Sequence, residues 1–171
     1  MLNIEQAVQQ KFPQFEHSNP WFKKSTLRFL RRITHEQEVN RFLQQHSQLT
    51  GFDFIDEVLD YFNFSYSISN RHRNNIPASG RVVIVANHPL GALDGLSLLK
   101  MVGEVRRDVK IVANEMLLDF AALKPLFLPV DNLSKATRKS NVASIIDSLN
   151  REQAVIVFPA GEVSRIRPSG V

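Results

Sequence analysis

The chain has 171 residues, of which 43% are hydrophobic and 22% charged, and its net charge is +4. This length suits one globular domain, with or without a small appendage. The absence of cysteine excludes disulfides, thiolate catalysis and cysteine-based zinc sites. No apolar run approaches the ~20 residues that span a bilayer, and the N-terminus lacks the apolar core of a signal peptide. We therefore expect a cytoplasmic protein whose contact with the inner face of the cell membrane is peripheral.

In chain order, residues 1–76 are predicted to form an N-terminal helical region. Apolar residues recur at helical spacing within 54–62, with acidic residues on the opposite side. Residues 65–69 alternate between polar and apolar types, which favours an edge strand, and residues 70–80 are polar and contain turn formers. We place the boundary between the two regions, 1–76 and 77–171, in that connector.

The segment 21–32 combines aromatic residues with five basic residues and no acidic one, directly after Pro20, which favours a helix start. Basic charge concentrated in one segment suits an anionic surface better than nucleic acid. One prediction is that this segment lies in the headgroup layer of a membrane. The alternative is that it packs on the rest of the protein with its charges solvated. The candidate membrane residues are Trp21, Phe22, Lys23, Lys24, Arg28, Arg31 and Arg32.

Beyond the connector, β-branched apolar runs alternate with helical patterns, and the first run is typical of a strand buried on both faces. The alternation predicts an α/β fold, with a largely parallel or mixed sheet flanked by helices, behind the N-terminal helical region. The predicted strands are 82–86, 109–113, 127–130 and 154–158, and the predicted helices cover 96–106 and 142–149.

Three short polar segments directly follow predicted strands: 87–95, 131–132 and 159–162. Parallel sheets bind their ligands at the carboxyl ends of the strands. If these strands are parallel, all three segments gather on one rim of the sheet, which makes that rim the candidate site.

His88 and Asp94 are the residues of the first segment best suited to chemistry. Six positions on a straight helix would separate them by ~240°, but Pro89, Gly91 and Gly95 favour a turn that folds the carboxylate back onto the ring. A carboxylate bonded to one imidazole nitrogen fixes the tautomer and leaves the other nitrogen as a base. No serine or cysteine lies between them, so the proton would come from a substrate. The alternative is that His88 closes a turn and Asp94 caps the following helix.

The segment after the last strand reads Pro159-Ala160-Gly161. A strand that enters such a sequence leaves backbone N–H groups exposed, and these can hold an oxyanion or a phosphate, with Glu162 and Arg165 at the rim. The alternative is a plain strand exit with solvated charges.

The spacing from Asn87-His88 to Asp94, and the Phe-Pro-Ala-Gly sequence at 158–161, resemble two motifs of the glycerolipid (lysophospholipid) acyltransferase superfamily. The residues within and around these two motifs are similar to those of a bacterial branch of the superfamily. That branch carries the label hemolysin and includes acyltransferases of ornithine-type aminolipids. The resemblance covers roughly residues 50–171 and implies the α/β fold of that superfamily.

The resemblance implies an enzyme that moves a fatty acyl group from acyl-carrier protein or acyl-CoA to a hydroxyl of a lipid acceptor, with no bound cofactor or metal. It makes His88 the general base and Asp94 the residue that orients it. The residues assigned to substrate binding are Asn87, Gly91, Asp131, Arg138, Pro159, Gly161, Glu162 and Arg165.

Departures from the family pattern bear on the acceptor. Phospholipid-acylating members have Glu after the Pro and Arg two residues past the Gly, where this chain has Ala160 and Val163. They also have Arg beside the Asp of a middle motif, where this chain has Asn132. The resemblance therefore implies a lyso-aminolipid, such as lyso-ornithine lipid, or another lysophospholipid in place of lysophosphatidic acid. Superfamily members continue beyond the position of Val171, so we expect the acyltransferase domain to be incomplete at its C-terminus.

Two other functions remain open from the sequence. A thioesterase or hydrolase would use His88 and Asp94 to activate water, and a membrane-associated module would keep the fold without catalysis. A metal site is less favoured, because one His and one Asp do not complete a coordination shell.

Overall fold

The computed structural model describes residues 2–114, 120–130 and 137–159. Contacts divide the chain into two compact units, Met1–Gln48 and Leu49–Val171. The boundary that we predict between the regions 1–76 and 77–171 rests on a change in sequence composition. The division by contacts falls earlier, because the helix Phe52–Tyr61 packs within the second unit.

The first unit is helical, as its sequence predicts, with a small apolar core formed by Ile4, Leu27 and Phe42. The second helix begins where predicted: Pro20 occupies its first turn, and the Asn19 side chain accepts a hydrogen bond from Trp21 N at 2.9 Å. The elements are α1 (Ile4–Lys11), a 3₁₀ helix (Pro13–His17), α2 (Pro20–Ile33) and α3 (Glu36–Gln45).

Polar contacts fix the start of the chain to α3. The Asn40 side chain accepts from Leu2 N at 2.7 Å and donates to Leu2 O at 2.8 Å, as a neighbouring strand would. The Glu36 carboxylate accepts from Ile4 N at 3.0 Å and pairs with Arg31 at 3.0 Å. These bonds satisfy backbone groups that a short helical unit would otherwise leave to water.

The second unit alternates strands and helices, as predicted. Its elements are α4 (Phe52–Tyr61), α5 (Asn70–Arg73), β1 (Val82–Val85), α6 (Ala92–Gly103), β2 (Val109–Asn114), a 3₁₀ helix (Ala121–Leu126), β3 (Phe127–Val130), α7 (Thr137–Asn150) and β4 (Ala154–Val157).

The edge strand predicted over residues 65–69 is wrong. Burial alternates along the segment as the pattern predicts, but these residues do not form a strand. The segment is tied down by side chains instead: Tyr66 donates a hydrogen bond to Glu104 at 2.9 Å, and Glu104 also pairs with Arg73 at 3.2 Å. Partial burial, followed by the bond to Glu104, raises the pKa of Tyr66 to about 12.

The described strands form one parallel sheet in the order β1-β4-β2-β3. Val85 lies opposite Val157 in the β1–β4 pair, and Ile111 lies opposite Ile156 in the β2–β4 pair. The parallel sheet confirms the predicted fold, and all four carboxyl ends point to one rim. The strand order is non-consecutive, with the last strand inserted next to the first.

Only part of the sheet is covered on both faces by described residues. The connections through α6 and α7 run in opposite directions across the sheet, so right-handed crossovers place these helices on opposite faces. The first three residues of β4 are therefore buried, whereas Val83 and Val85 of β1 are 47% and 64% exposed. The prediction that this first strand is buried on both faces is wrong, because β1 is an edge strand and α7 contacts β3 and β4.

Helix α4 packs on α6 through a close approach at Gly103. A side-chain carbon at that position would collide with the Phe52 ring, so glycine lets the ring pack here without moving. Lys100 of α6 also pairs with Asp56 of α4 at 2.8 Å, and this bond raises the pKa of Lys100. The two contacts hold α6, whose first turn carries Asp94.

A buried arginine closes the end of the sheet away from the candidate rim. Arg106 is 5% exposed and forms a bidentate pair with Asp108 at 2.7 and 2.8 Å. It also donates to the carbonyls of Pro77, Gly80 and Glu152. Its hydrogen bonds hold the pKa of Asp108 below its usual range. This residue therefore ties together the segments that enter β1, β2 and β4.

Candidate active site

The candidate site is built where β1 and β4 end side by side. Ala86 N donates to Val157 O at 3.2 Å, so the ladder of backbone bonds continues one residue beyond β1. The chain then leaves β1 toward His88 and leaves β4 toward Phe158. The insertion of β4 next to β1 brings two segments together that lie seventy positions apart in the sequence.

A tight turn returns the chain from the rim into α6. Gly91 lies just before the helix with φ 74° and ψ −134°, a backbone conformation that favours glycine. Asp94 lies in the first turn of α6, and its Oδ2 accepts a hydrogen bond from Leu90 N at 2.6 Å. This bond closes the turn and holds the Asp94 carboxylate close to the segment that carries His88.

The turn places His88 next to Asp94. His88 Nδ1 and Asp94 Oδ2 are 3.5 Å apart, and the side chains are 20% and 19% exposed. The distance exceeds the usual 2.7–3.2 Å range of a hydrogen bond, and Nδ1 is buried without a hydrogen bond to any described residue. Catalytic hydrogen bonds are often long before substrate binds and then tighten, and a shift of a few tenths of an ångström would complete this one.

The alternative role of Asp94 as a cap of the following helix is not seen, because no described side chain caps the start of α6. The carboxylate caps the turn through Leu90 N, and it also faces the imidazole. Because Nδ1 is directed to the carboxylate, Nε2 lies on the opposite side of the ring. That nitrogen is the one that could accept a proton from a bound molecule.

Phe158 completes the setting of the imidazole. Its ring stacks on His88 with centroids 4.3 Å apart and planes 23° from parallel. Gly95 lies on this side of α6, where an added side-chain carbon would come within 3.8 Å of Phe158 and 3.3 Å of Ile111. The stacked ring packs against one face of the imidazole. Sequence reasoning placed Phe158 in a motif but gave it no role, because that role depends on β4 lying beside β1.

The other predicted substrate residues divide into three groups. Asn87 and Pro159 are exposed at the same rim as His88, and Gly91 forms the turn. Arg138 lies in α7, but its side chain is outside the described part. Predictions that fall outside the described residues are those on Asp131, Gly161, Glu162 and Arg165.

The carboxyl end of β3 lies at a distance from that of β1, which leads to His88. β3 is at the opposite edge from β1, three strand spacings away, which is about 14 Å at ~4.8 Å per spacing. A substrate that reached both ends of the rim would therefore have to be extended along the tops of the strands.

Within the described ranges, no three His, Asp or Glu side chains gather as a metal site would require. No helix of the described part is both long and apolar enough to cross a bilayer.

Comparison with known proteins gives one family and two relatives. The family model described as acyltransferase matches residues 7–171. The lyso-glycine lipid O-acyltransferase of Bacteroides thetaiotaomicron is 27% identical, with 100% of this chain and 61% of the relative covered. The protein of the same name from Phocaeicola vulgatus is also 27% identical, with 96% and 57% covered. The chain thus spans about three fifths of the length of these relatives. No solved structure matches it.

Proposed function

Because the chain belongs to the acyltransferase family, whose model matches residues 7–171, we propose that it transfers a fatty acyl group from a thioester donor to a hydroxyl of a lyso-lipid. The observation that carries the proposal is the His88–Asp94 contact of 3.5 Å at the rim of the parallel sheet. His88 is the general base, and Asp94 orients it.

In this mechanism the Nε2 atom of His88 removes the proton from the acceptor hydroxyl. The hydroxyl oxygen attacks the thioester carbonyl carbon, the C–S bond breaks, and the imidazolium returns the proton to the departing thiolate. Asp94 holds the other ring proton on Nδ1 and stabilises the imidazolium that forms in between. Such base assistance is worth about 10²–10⁴ in rate, and positioning and oxyanion stabilisation must supply the rest.

Direct transfer to the acceptor fits the residues of the site. The chain has no cysteine, and no serine lies between His88 and Asp94, so we assign no covalent acyl-enzyme. The thioester already carries the acyl group in activated form, so the reaction needs no bound cofactor. Backbone N–H groups of the segment after β4 are the proposed oxyanion donors.

The acceptor proposed here is a lyso-aminolipid. Two observations support it. The relatives of similar sequence carry the name lyso-glycine lipid O-acyltransferase. The superfamily members that acylate phospholipids have charged residues at three motif positions where this chain has Ala160, Val163 and Asn132.

The test supplies the purified protein with acyl-CoA or acyl-carrier protein and one acceptor at a time: lyso-glycine lipid, lyso-ornithine lipid or lysophosphatidic acid. The expected result is an O-acylated aminolipid, identified by mass spectrometry, with one thiol released per product. The two donors are compared under the same conditions, and the better one by kcat/KM is the donor.

Two results would contradict the proposal. Thiol release at the same rate without an acceptor would make the protein a thioesterase. A preference for lysophosphatidic acid would overturn the acceptor class while leaving acyl transfer in place.

A further inference from the structure

Helix α2 exposes apolar side chains that the helical unit does not cover. Phe22, Phe29 and Ile33 are 56%, 63% and 58% exposed. At 100° per residue these three lie within about 40° of one another, and we call them the apolar stripe. Leu27, the buried residue of α2, lies on the opposite side. The stripe is therefore distinct from the face that packs in the core.

Trp21 lies at the start of α2, about 100° around the helix from Phe22 and on the same side as Arg28 and Arg32. It is 80% exposed, which is unusual for so large an apolar side chain. The Phe22 ring contacts Phe15 at a centroid distance of 6.5 Å, and Phe12 nearby is 59% exposed. A small unit that exposes this much aromatic surface is typical of a protein with a partner surface.

The basic residues of α2 fall into two groups. Lys23 and Arg31 form ion pairs with Glu5, and Arg31 also pairs with Glu36, so their charges are neutralised inside the unit. Lys24, Arg28 and Arg32 are exposed and form no ion pair with any residue that the structure describes. By helical spacing Arg32 and Arg28 lie about 80° and 120° to one side of the centre of the stripe, and Lys24 lies about 160° from it, near the opposite face.

A cleft of about 890 Å³ lies on this basic side. It is lined by all five basic residues of α2 and by Arg41, against three glutamates, which leaves an excess of positive charge. Leu27 also lines the cleft, so the cleft lies on the face of α2 away from the stripe, and the helix is apolar on one face and cationic on the other.

We propose that α2 binds the surface of an anionic bilayer. The helix lies in the plane of the headgroups, with the apolar stripe toward the acyl chains and Trp21 at the level of the headgroups. Arg28 and Arg32, to one side of the stripe, face the lipid phosphates. Apolar burial beside a row of cations is the pattern of helices that lie on membranes, and the unpaired positive charges select an anionic partner. This proposal does not rest on the catalytic assignment, because binding is measured without an acyl donor.

The test uses Trp21 as the probe, since it is the single tryptophan of the sequence. The protein is titrated with vesicles of phosphatidylcholine alone or of phosphatidylcholine with phosphatidylglycerol. With anionic vesicles we expect a blue shift of the emission and quenching by lipids brominated in the acyl chains, and with neutral vesicles neither.

Arg28→Gln with Arg32→Gln should weaken binding to the anionic vesicles by about 30-fold, since each cation near such a surface contributes about a factor of five. The matched control is Arg71→Gln with Lys124→Gln, which removes two exposed charges from the second unit and should leave binding unchanged.

Three outcomes would overturn the proposal. The first is an emission that anionic vesicles do not change. The second is equal binding by the two double variants. The third is a blue shift that appears without vesicles and follows dimer formation in sedimentation, which would make a second copy the occupant of the stripe.

Discussion

Replacing His88 by alanine is expected to lower the rate of acyl transfer by about 10²–10⁴-fold, the usual contribution of a general base. The ring is 20% exposed and stacks on Phe158 at the edge of the sheet, so its removal also loses some packing. The loss should appear in kcat and kcat/KM alike with little change in KM, because the base acts in the transition state. The measurement is steady-state transfer to the lyso-aminolipid acceptor.

His72→Ala is the matched control, since that imidazole is exposed in the short helix α5 and should be dispensable. His88→Gln guards against a packing artefact, because glutamine keeps a planar side chain without a basic nitrogen. Wild-type turnover in either His88 variant would show that the ring is not the base.

The second large effect is expected from Asp94→Asn. The asparagine carbonyl can still accept the bond from Leu90 N, so the turn should persist. That carbonyl, at the position of Oδ2, would also face His88 Nδ1, but the negative charge that stabilises the imidazolium is lost. Replacing the carboxylate behind a catalytic imidazole by an amide costs up to about 10⁴-fold in rate, and here kcat is the quantity to measure.

Asp56→Asn serves as the comparison, because it removes a carboxylate that contacts α6 through Lys100 away from the rim. It should lower thermal stability slightly and leave kcat unchanged. If Asp94→Asn behaved the same way, Asp94 would be a cap of the turn and nothing more.

The sequence alone predicted the two features on which the candidate site depends. The β-branched runs at 82–86 and 154–158 mark real strands because such residues fit a buried pleated surface. The prediction of a turn between His88 and Asp94 is confirmed at Gly91, which has a positive φ, but Gly95 lies inside α6. Both inferences use local patterns, which a single sequence contains.

What the sequence missed is non-local. Nothing in the local pattern says that β4 inserts beside β1, and the stacking of Phe158 on His88 follows from that order. The prediction that β1 is buried on both faces failed for the same reason. An apolar run predicts a strand but does not show which elements cover its two faces.

Arg106 was missed for a related reason. Its partners lie at Pro77, Gly80, Asp108 and Glu152, segments that meet only in the folded sheet. The assignments to Asp131, Gly161, Glu162, Arg165 and the Arg138 side chain stay predictions, because they fall outside what the structure describes.

The most direct test of the central claim is the tautomer of His88, read from the ¹⁵N shifts of the imidazoles at a pH where the ring is neutral. The sequence has five histidines, and the signal of His88 is assigned by its loss in His88→Gln. We predict the proton on Nδ1, facing the Asp94 carboxylate, with Nε2 bare. A neutral ring with its proton on Nε2 would leave no base for the acceptor hydroxyl and would contradict the mechanism.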